Sequence, residues 1–220
     1  MAAPISYHEV NGGVDGTMHG TDRVIGLRAQ KGGAICVAVT IDNDEPRLLL
    51  STFLPTAAEG DRLAFEPYGV AREMALEGRK AEAAMAVAEG RRRQDEAAAD
   101  ELRRVVARLG AAPVTVALLI NRAGWISDLL AYSLEWAEHV PVAEGLAVRD
   151  AFRTGCRNCG LVMAEVDEKS LPVQAADALG RSASEIDARL KAMGITAGRP
   201  WRKEQKLAAL SAWMAGANIK

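Results

Sequence analysis

The chain has 220 residues, of which 49% are hydrophobic and 25% charged, as is ordinary for a globular protein with one core. The net charge of −2 excludes a global electrostatic attraction to nucleic acid and leaves only local basic patches. Three cysteines, an odd number, argue against a disulfide framework. We therefore expect a cytoplasmic protein without a secretory signal or a membrane span, and the Ala- and Arg-rich composition is typical of GC-rich bacterial genomes.

The first part of the chain predicts a flexible arm followed by an antiparallel meander. Residues 1–22 are polar and rich in glycine, which favours an arm over regular structure, and residues 23–220 are expected to form one domain. Three strand-like runs follow: RVIGLRAQ, AICVAVTID and RLLLSTFLP. Gly32 and Gly33 suit a tight hairpin. The nearly continuous apolar run of the second strand is typical of a strand covered on both faces.

The rest of the chain alternates between helix and strand. Residues 67–110 predict two helices, or one bent helix with a break near Gly90, and Val114–Ile120 is an unbroken apolar run that predicts a buried strand. The later segments predict a helix over residues 125–137, a short helix that begins at Pro141, a loop over residues 155–160, a strand over residues 161–166, a helix with a Ser182/Glu185 capping box and a last helix bearing Leu207, Leu210 and Met214.

This order of elements resembles the ribonuclease H-like superfold, which RuvC-type junction resolvases, transposase cores and actin-like ATPases share. The segment VIGLRAQKGGAICVAV is similar to the opening hairpin of that superfold, and KEQKLAALSAWMAGA is similar to the RuvC-type terminal helix. The resemblance implies an α/β fold with a mixed five-stranded sheet flanked by helices. In the family, carboxylates on neighbouring strands and on the last helix hold two Mg²⁺ or Mn²⁺ ions that hydrolyse phosphodiesters.

The matching positions of this chain lack those carboxylates. Leu27 stands where the first strand of the family carries Asp, and the fourth strand ends in Asn121 where Glu is expected. Lys206 lies where the last helix offers Asp, with Glu204 nearby, and Arg28 and Lys206 bring positive charge instead. The resemblance therefore implies a degenerate relative without nuclease activity; were the chain an enzyme, it would be a metal-dependent phosphodiester hydrolase.

A Cys-x-x-Cys pair is the sharpest local motif. Cys156 and Cys159 have a spacing that suits Zn²⁺ or a redox pair. A structural zinc ion needs four ligands, and the sequence has no second pair of this kind. A loop without metal or redox chemistry is the alternative.

A second candidate metal site is acidic. Glu165, Asp167 and Glu168 form an acidic end to the fifth predicted strand, and with Asp42 or Asp44 they would form a relocated site for Mg²⁺ or Mn²⁺. Ordinary surface charge is the alternative.

A basic segment near the carboxyl terminus is the candidate nucleic-acid site. Arg199, Arg202, Lys203 and Lys206 surround Trp201, and such a segment can combine phosphate contacts with base stacking.

Three functions remain open at the level of sequence. The first is nucleic-acid binding without nuclease activity. The second is a non-catalytic oligomeric module in which tryptophan-bearing helices form a homodimer interface; Trp125, Trp136 and Trp213 are expected on helical faces, as core or interface residues. The third is a metal-dependent enzyme that uses the cysteine pair or the relocated carboxylates.

Overall fold

The structure is a computed structural model that describes residues 7–8, 23–121, 123 and 125–218. The predicted flexible arm therefore lies outside the described residues, apart from Tyr7 and His8. The strands are β1 (Tyr7–His8), β2 (Arg23–Gln30), β3 (Gly33–Asp42), β4 (Glu45–Pro55), β5 (Val114–Ile120) and β6 (Val162–Asp167). The α-helices are α1 (Arg62–Phe65), α2 (Pro67–Leu76), α3 (Lys80–Leu109), α4 (Leu129–Glu135), α5 (Val140–Asn158), α6 (Leu171–Leu179), α7 (Ala183–Ala197) and α8 (Lys203–Ala217), with a 3₁₀ turn at Ala137–His139.

The strands form one mixed sheet in the order β1-β6-β5-β2-β3-β4. Strands β2, β5 and β6 run parallel, whereas β3 is antiparallel to β2 and β4. The predicted five-stranded sheet is confirmed, and the two-residue strand β1 adds antiparallel pairing beside β6. We call the edge at which β2, β5 and β6 all end the carboxyl edge, because parallel strands bring their carboxyl ends together there.

Helix α8 lies directly on β2, and its side of the sheet is called the α8 face. A Cβ atom on Gly26 would lie 1.8 Å from the carbonyl oxygen of Ala208, so only glycine allows this approach. Trp213 of α8 is fully buried in a cluster with Val24 and Leu119 of the sheet. The predicted last helix is thus a central part of the core.

The opposite side, the α5 face, is covered by α3 and α5. Ile25 and Leu27 of β2 are fully buried there with Leu102 of α3 and Phe152 of α5. A smaller cluster around Tyr68 joins α2 to α3 and α5. Strand β3 is buried along almost its whole length, which confirms the prediction of a strand covered on both faces.

The predicted break near Gly90 is wrong, because α3 runs through that residue. The chain instead breaks at Gly78, which has a φ of 83°. Gly90 is buried, and a Cβ atom there would lie 2.5 Å from the carbonyl oxygen of Leu63. This glycine therefore serves close helix packing and does not end a helix.

Two further boundaries differ from the prediction. Helix α4 begins only at Leu129, because the Asp128 carboxylate caps it by accepting hydrogen bonds from the N–H groups of Leu130 and Ala131 at 2.9 and 3.0 Å. The predicted loop over residues 155–160 is largely helical, since α5 continues to Asn158.

Other predicted boundaries are confirmed or extended. Strand β5 has the predicted bounds, and the Ser182/Glu185 capping box is present. Helix α6 was not predicted. No helix in the described part of the chain is long and apolar enough to cross a membrane.

Candidate functional site

On the α8 face, an ion pair occupies the carboxyl edge. Arg28 donates from Nε and Nη2 to the two carboxylate oxygens of Glu168, at 3.0 and 3.1 Å. About a quarter of each side chain is exposed. Paired contacts between a guanidinium and a carboxylate are among the stronger hydrogen bonds in proteins, so this pair joins β2 to the residue that follows β6.

Residue 28, and not residue 27, faces the last helix at this edge. Side chains alternate between the two faces of a strand, and the Leu27 side chain is fully buried on the α5 face. Gly26 lies against α8, so Arg28 shares its face. At this edge the β2 side chain that faces α8 is therefore the cation Arg28, whereas Leu27 belongs to the core of the α5 face.

On the α5 face, the same edge holds a buried arginine with a neutral partner. Nη1 of Arg149 donates to Oδ1 of Asn121 at 2.9 Å. Only 7% of Arg149 is exposed, and its Nε atom has no hydrogen-bond partner. Burial lowers the pKa of this guanidinium, because desolvation penalises its charged form.

Arg149 lines a cavity of about 760 Å³ at the carboxyl edge. Ionic contacts organise one wall of the cavity: Asp150 bonds Arg91 at 3.1 Å and Arg153 at 2.5 Å, and Arg153 also bonds Glu165. We refer to this space as the Arg149 cavity.

The predicted acidic metal ligands are engaged elsewhere. Glu165 pairs with Arg153, and Asp167 accepts a hydrogen bond from the N–H of Lys169 at 2.8 Å. Asp42 pairs with Arg47 at 3.6 Å. Because β3 is antiparallel to β2, Asp42 lies at the opposite edge of the sheet from Asp167. The relocated site that would combine them is therefore wrong.

The cysteine pair lies in the packing between α3 and α5. Cys156 is 1% exposed, and burial raises the pKa of its thiol to about 12. Burial also raises the pKa of the Cys159 thiol, which donates to the carbonyl oxygen of Ala99 at 3.5 Å. Both thiols therefore stay protonated near neutral pH, whereas the thiolate is the metal ligand. Among the described residues, no three His, Cys, Asp or Glu side chains form a group that could hold a metal ion.

The structure places most of the predicted nucleic-acid site in one groove. Trp201, Arg202, Lys203 and Lys206 line a groove of about 360 Å³ between α7 and α8, called the α7–α8 groove. Arg202 and Lys203 are exposed there. Arg199 is exposed too, but it is not part of the groove lining.

Two members of this set also have structural contacts. Nε1 of Trp201 donates to the carbonyl oxygen of Leu190 at 2.9 Å, and a Cβ atom on Gly194 would lie 2.3 Å from the indole ring. Nζ of Lys206 lies 3.5 Å from Oδ1 of Asp187. Trp201 therefore packs against α7 at the start of α8, and Arg202, Lys203 and Lys206 lie beside it.

The tryptophans predicted to form an interface have different environments. Trp213 is fully buried and is therefore a core residue, one of the two environments expected for it. Trp125 and Trp136 are 71% and 64% exposed. Trp125 meets the edge of Tyr132, whose ring stacks on His139. An exposed aromatic surface thus surrounds α4.

Comparisons with known proteins identify the fold. RuvC from Thermus thermophilus is 14% identical to this chain, with a TM-score of 0.51 over 90% of this chain and 95% of that one. The fold is ribonuclease H-like, of the RuvC type. A second structure, T. thermophilus RuvC in complex with a Holliday junction substrate, is 13% identical over 90% of this chain and 94% of that one, with a TM-score of 0.49. No protein-family model matches the sequence, and no curated protein matches it.

Sequence reasoning missed Arg149, although a signal for it exists in the sequence. The residues around it on α5, which include Ala147, Val148, Ala151 and Phe152, are buried and apolar. A charged residue on an apolar helix face is buried only where something satisfies it. That pattern marks Arg149 as a residue whose partner should be sought.

Proposed function

We propose that this RuvC-type chain binds nucleic acid and does not hydrolyse it by two-metal chemistry. The observation that carries this proposal is the Arg28–Glu168 ion pair at the carboxyl edge. Two-metal hydrolysis needs several oxygen ligands around divalent cations, and a guanidinium in their place repels such ions. The carboxylate that is present, Glu168, is already neutralised by Arg28.

The α7–α8 groove is the surface proposed to contact phosphates. Arg202 and Lys203 are exposed, and Lys206 lines the same groove. Because the chain as a whole has a net charge of −2, binding depends on this local patch and should weaken steeply as salt rises. Trp201 holds the two helices together, and Arg199 adds charge nearby.

Fluorescence anisotropy with labelled duplex and four-way-junction DNA tests the binding. We expect the affinity of the native chain to fall between about 50 and about 200 mM salt. The double variant Arg202→Ala/Lys203→Ala should bind more weakly, with a slope of log affinity against log salt reduced by about two. The matched control is Arg103→Ala/Arg104→Ala, which removes two exposed cations from α3.

Two results would contradict the proposal. The first is that the native chain shows no salt-sensitive binding; the second is that both double variants lose equal affinity. A separate incubation of the same DNA with Mg²⁺ or Mn²⁺ should leave it intact. Cleavage that a chelator abolishes, and that the Arg28→Met variant alters, would show that the metal chemistry persists.

A second candidate function is that of an oligomeric module. Trp125 and Trp136 are largely exposed, and aromatic residues are enriched in protein interfaces. We propose a homodimer through the surface around α4 as this alternative. Light scattering at high protein concentration should then give twice the chain mass for the native chain and the monomer mass for Trp125→Ser/Trp136→Ser.

A cytoplasmic location in a bacterium is part of the same proposal. It is supported by the three cysteines, Cys36, Cys156 and Cys159, which all carry free thiols. Disulfides are rare in reducing compartments. Fractionation of cells that express the native chain tests this location.

A further inference from the structure

We propose that the Arg149 cavity binds a small molecule through an oxyanion group, a phosphate or a carboxylate, that Arg149 receives. This site lies on the α5 face of the carboxyl edge and is separate from the α7–α8 groove. It does not depend on nucleic-acid binding.

Arg149 is a charged side chain that is buried without a charged partner in direct contact. Only 7% of Arg149 is exposed. Among the described residues, the side chain donates to the neutral amide oxygen of Asn121. Nε has no partner. Burying a charged group costs free energy unless the group is paired and hydrogen-bonded. The same loss of hydration lowers the pKa of the Arg149 guanidinium. An oxyanion would supply the missing charge and hydrogen-bond acceptors.

The carboxylates that line the cavity already have partners. Asp150 bonds Arg91 and Arg153, and Glu165 bonds Arg153. Asp128 accepts the N–H groups at the start of α4. Each of these acids is held by another group, and among the described residues no carboxylate forms an ion pair with Arg149. Asp167 also lines the cavity and accepts the N–H of Lys169. Arg149 is thus a cavity cation without a carboxylate in direct contact among the described residues, and Asp150, Glu165 and Glu168 favour its charged form only at longer range.

The size and lining of the cavity fit a small organic molecule. Its volume of about 760 Å³ lies within the range of roughly 300 to 1,000 Å³ that is usual for ligand sites. Ile120, Ile126 and Leu130 contribute apolar wall, while Arg149 supplies a polar group that would orient the ligand. An apolar pocket with few polar groups in fixed positions is the usual form of such sites.

Isothermal titration calorimetry on the full chain tests the proposal. The probes are inorganic phosphate, adenosine monophosphate and succinate, each at the same ionic strength as a sodium chloride control. We expect at least one probe to bind with a dissociation constant below about 10 mM. Tighter binding of adenosine monophosphate than of phosphate would favour a nucleotide, whereas preference for succinate would favour a carboxylic acid.

The decisive variant is Asn121→Asp, which places a carboxylate where the amide oxygen now lies 2.9 Å from Nη1 of Arg149. The internal ion pair should weaken binding about tenfold or more and leave the fold intact. The matched control is Asn158→Asp, the same change on the exposed end of α5, which should keep the native affinity. Arg149→Gln should also lose binding, while Arg157→Gln, at an exposed position of the same helix, should not.

The proposal is overturned if none of the three probes binds the native chain more tightly than chloride. It is also overturned if Asn121→Asp and Arg149→Gln both bind as the native chain does. Far-ultraviolet circular dichroism identifies any variant that fails to fold, and Asn121→Asp then decides the outcome. DNA binding through the α7–α8 groove should be unchanged in Asn121→Asp, so failure of either proposal can be recognised separately.

Discussion

Charged side chains have different kinds of partner on the two faces of the sheet. On the α8 face, Arg28 and Glu168 form a direct ion pair at the carboxyl edge. On the α5 side, two buried charged residues of α5 have neutral partners: Arg149 bonds an amide oxygen, and Glu144 accepts the backbone N–H groups of Tyr68 and Gly69 at 2.9 Å each. The α8 face is closely packed, whereas the α5 side contains the large cavity.

This difference indicates which charges are structural and which are available to a ligand. A guanidinium that already forms an ion pair with a carboxylate gains little binding free energy from a second anion, because its charge is already balanced. Arg149 instead bonds an amide, and the carboxylates that favour its charged form, Asp150, Glu165 and Glu168, do so without a direct contact. The same fold thus contains two arginines at this edge: Arg28, which bonds a carboxylate directly, and Arg149, which does not.

The largest expected effect concerns the close packing of α8 against β2. Gly26→Ala should lower the free energy of unfolding by about 3 kcal/mol or more, because its Cβ atom would lie 1.8 Å from the backbone oxygen of Ala208. Gly145→Ala on α5 is the matched control, since nothing lies within 4 Å of the added Cβ atom, and it should stabilise by roughly 0.5 to 1 kcal/mol.

Urea unfolding at constant pH measures both changes. If Gly26→Ala changed the free energy of unfolding no more than Gly145→Ala, α8 would not lie as close to β2 as described. The difference in packing between the two faces would then be contradicted.

The next effect concerns the buried carboxylate of the α5 side. Glu144 is fully buried, Oε2 has no hydrogen-bond partner, and burial raises its pKa to about 7. Since the folded pKa exceeds the unfolded value, the contribution to stability is complete below about pH 4.5 and is lost as pH rises through about 7. The loss is at most about 3 kcal/mol.

Comparison with Glu144→Gln isolates this contribution, because glutamine keeps an acceptor for the two N–H groups and does not ionise. The difference in unfolding free energy between the native chain and Glu144→Gln should shift in favour of the variant between pH 5 and pH 8. Glu138→Gln, at an exposed position, should leave the pH dependence unchanged. Parallel curves for the native chain and Glu144→Gln would contradict the assignment.

The smallest effect concerns the ion pair of the α8 face. A double-mutant cycle with Arg28→Met and Glu168→Gln should give a coupling energy of about 1 kcal/mol, because three quarters of each side chain is buried. The same cycle on Arg103 and Asp100, which are more than half exposed, should give at most about 0.5 kcal/mol. Equal coupling in the two cycles would show that the edge pair is an ordinary surface contact.

Local patterns in the sequence were sufficient for much of the architecture. The unbroken apolar run of Val114–Ile120 gives a strand with those bounds, and Ser182 with Glu185 gives the predicted cap. Glycines were less informative. Gly78 ends a helical segment, while Gly90 allows two helices to approach, and the sequence around each does not distinguish these roles.

The candidate site was predicted less well, because it depends on which face each side chain occupies. A shift of one residue along β2 exchanges Leu27, on the α5 face, for Arg28, on the α8 face. Similarly, Asp42 and Asp167 are each the last residue of a strand, but opposite strand directions separate them. The residues of a single segment do not determine which face of the sheet a side chain occupies or in which direction the strand runs.

The sequence by itself determined the order of most elements, since this depends on residue types along the chain and on local periodicity. Tertiary structure alone decided which charges meet. Arg28 and Glu168 are 140 residues apart, and Arg149 and Asn121 are 28 apart. Such contacts arise only once parallel pairing brings the ends of β2, β5 and β6 to one edge and packing places α5 against it. The Arg28–Glu168 ion pair and the contact of Arg149 with an amide are therefore products of that arrangement.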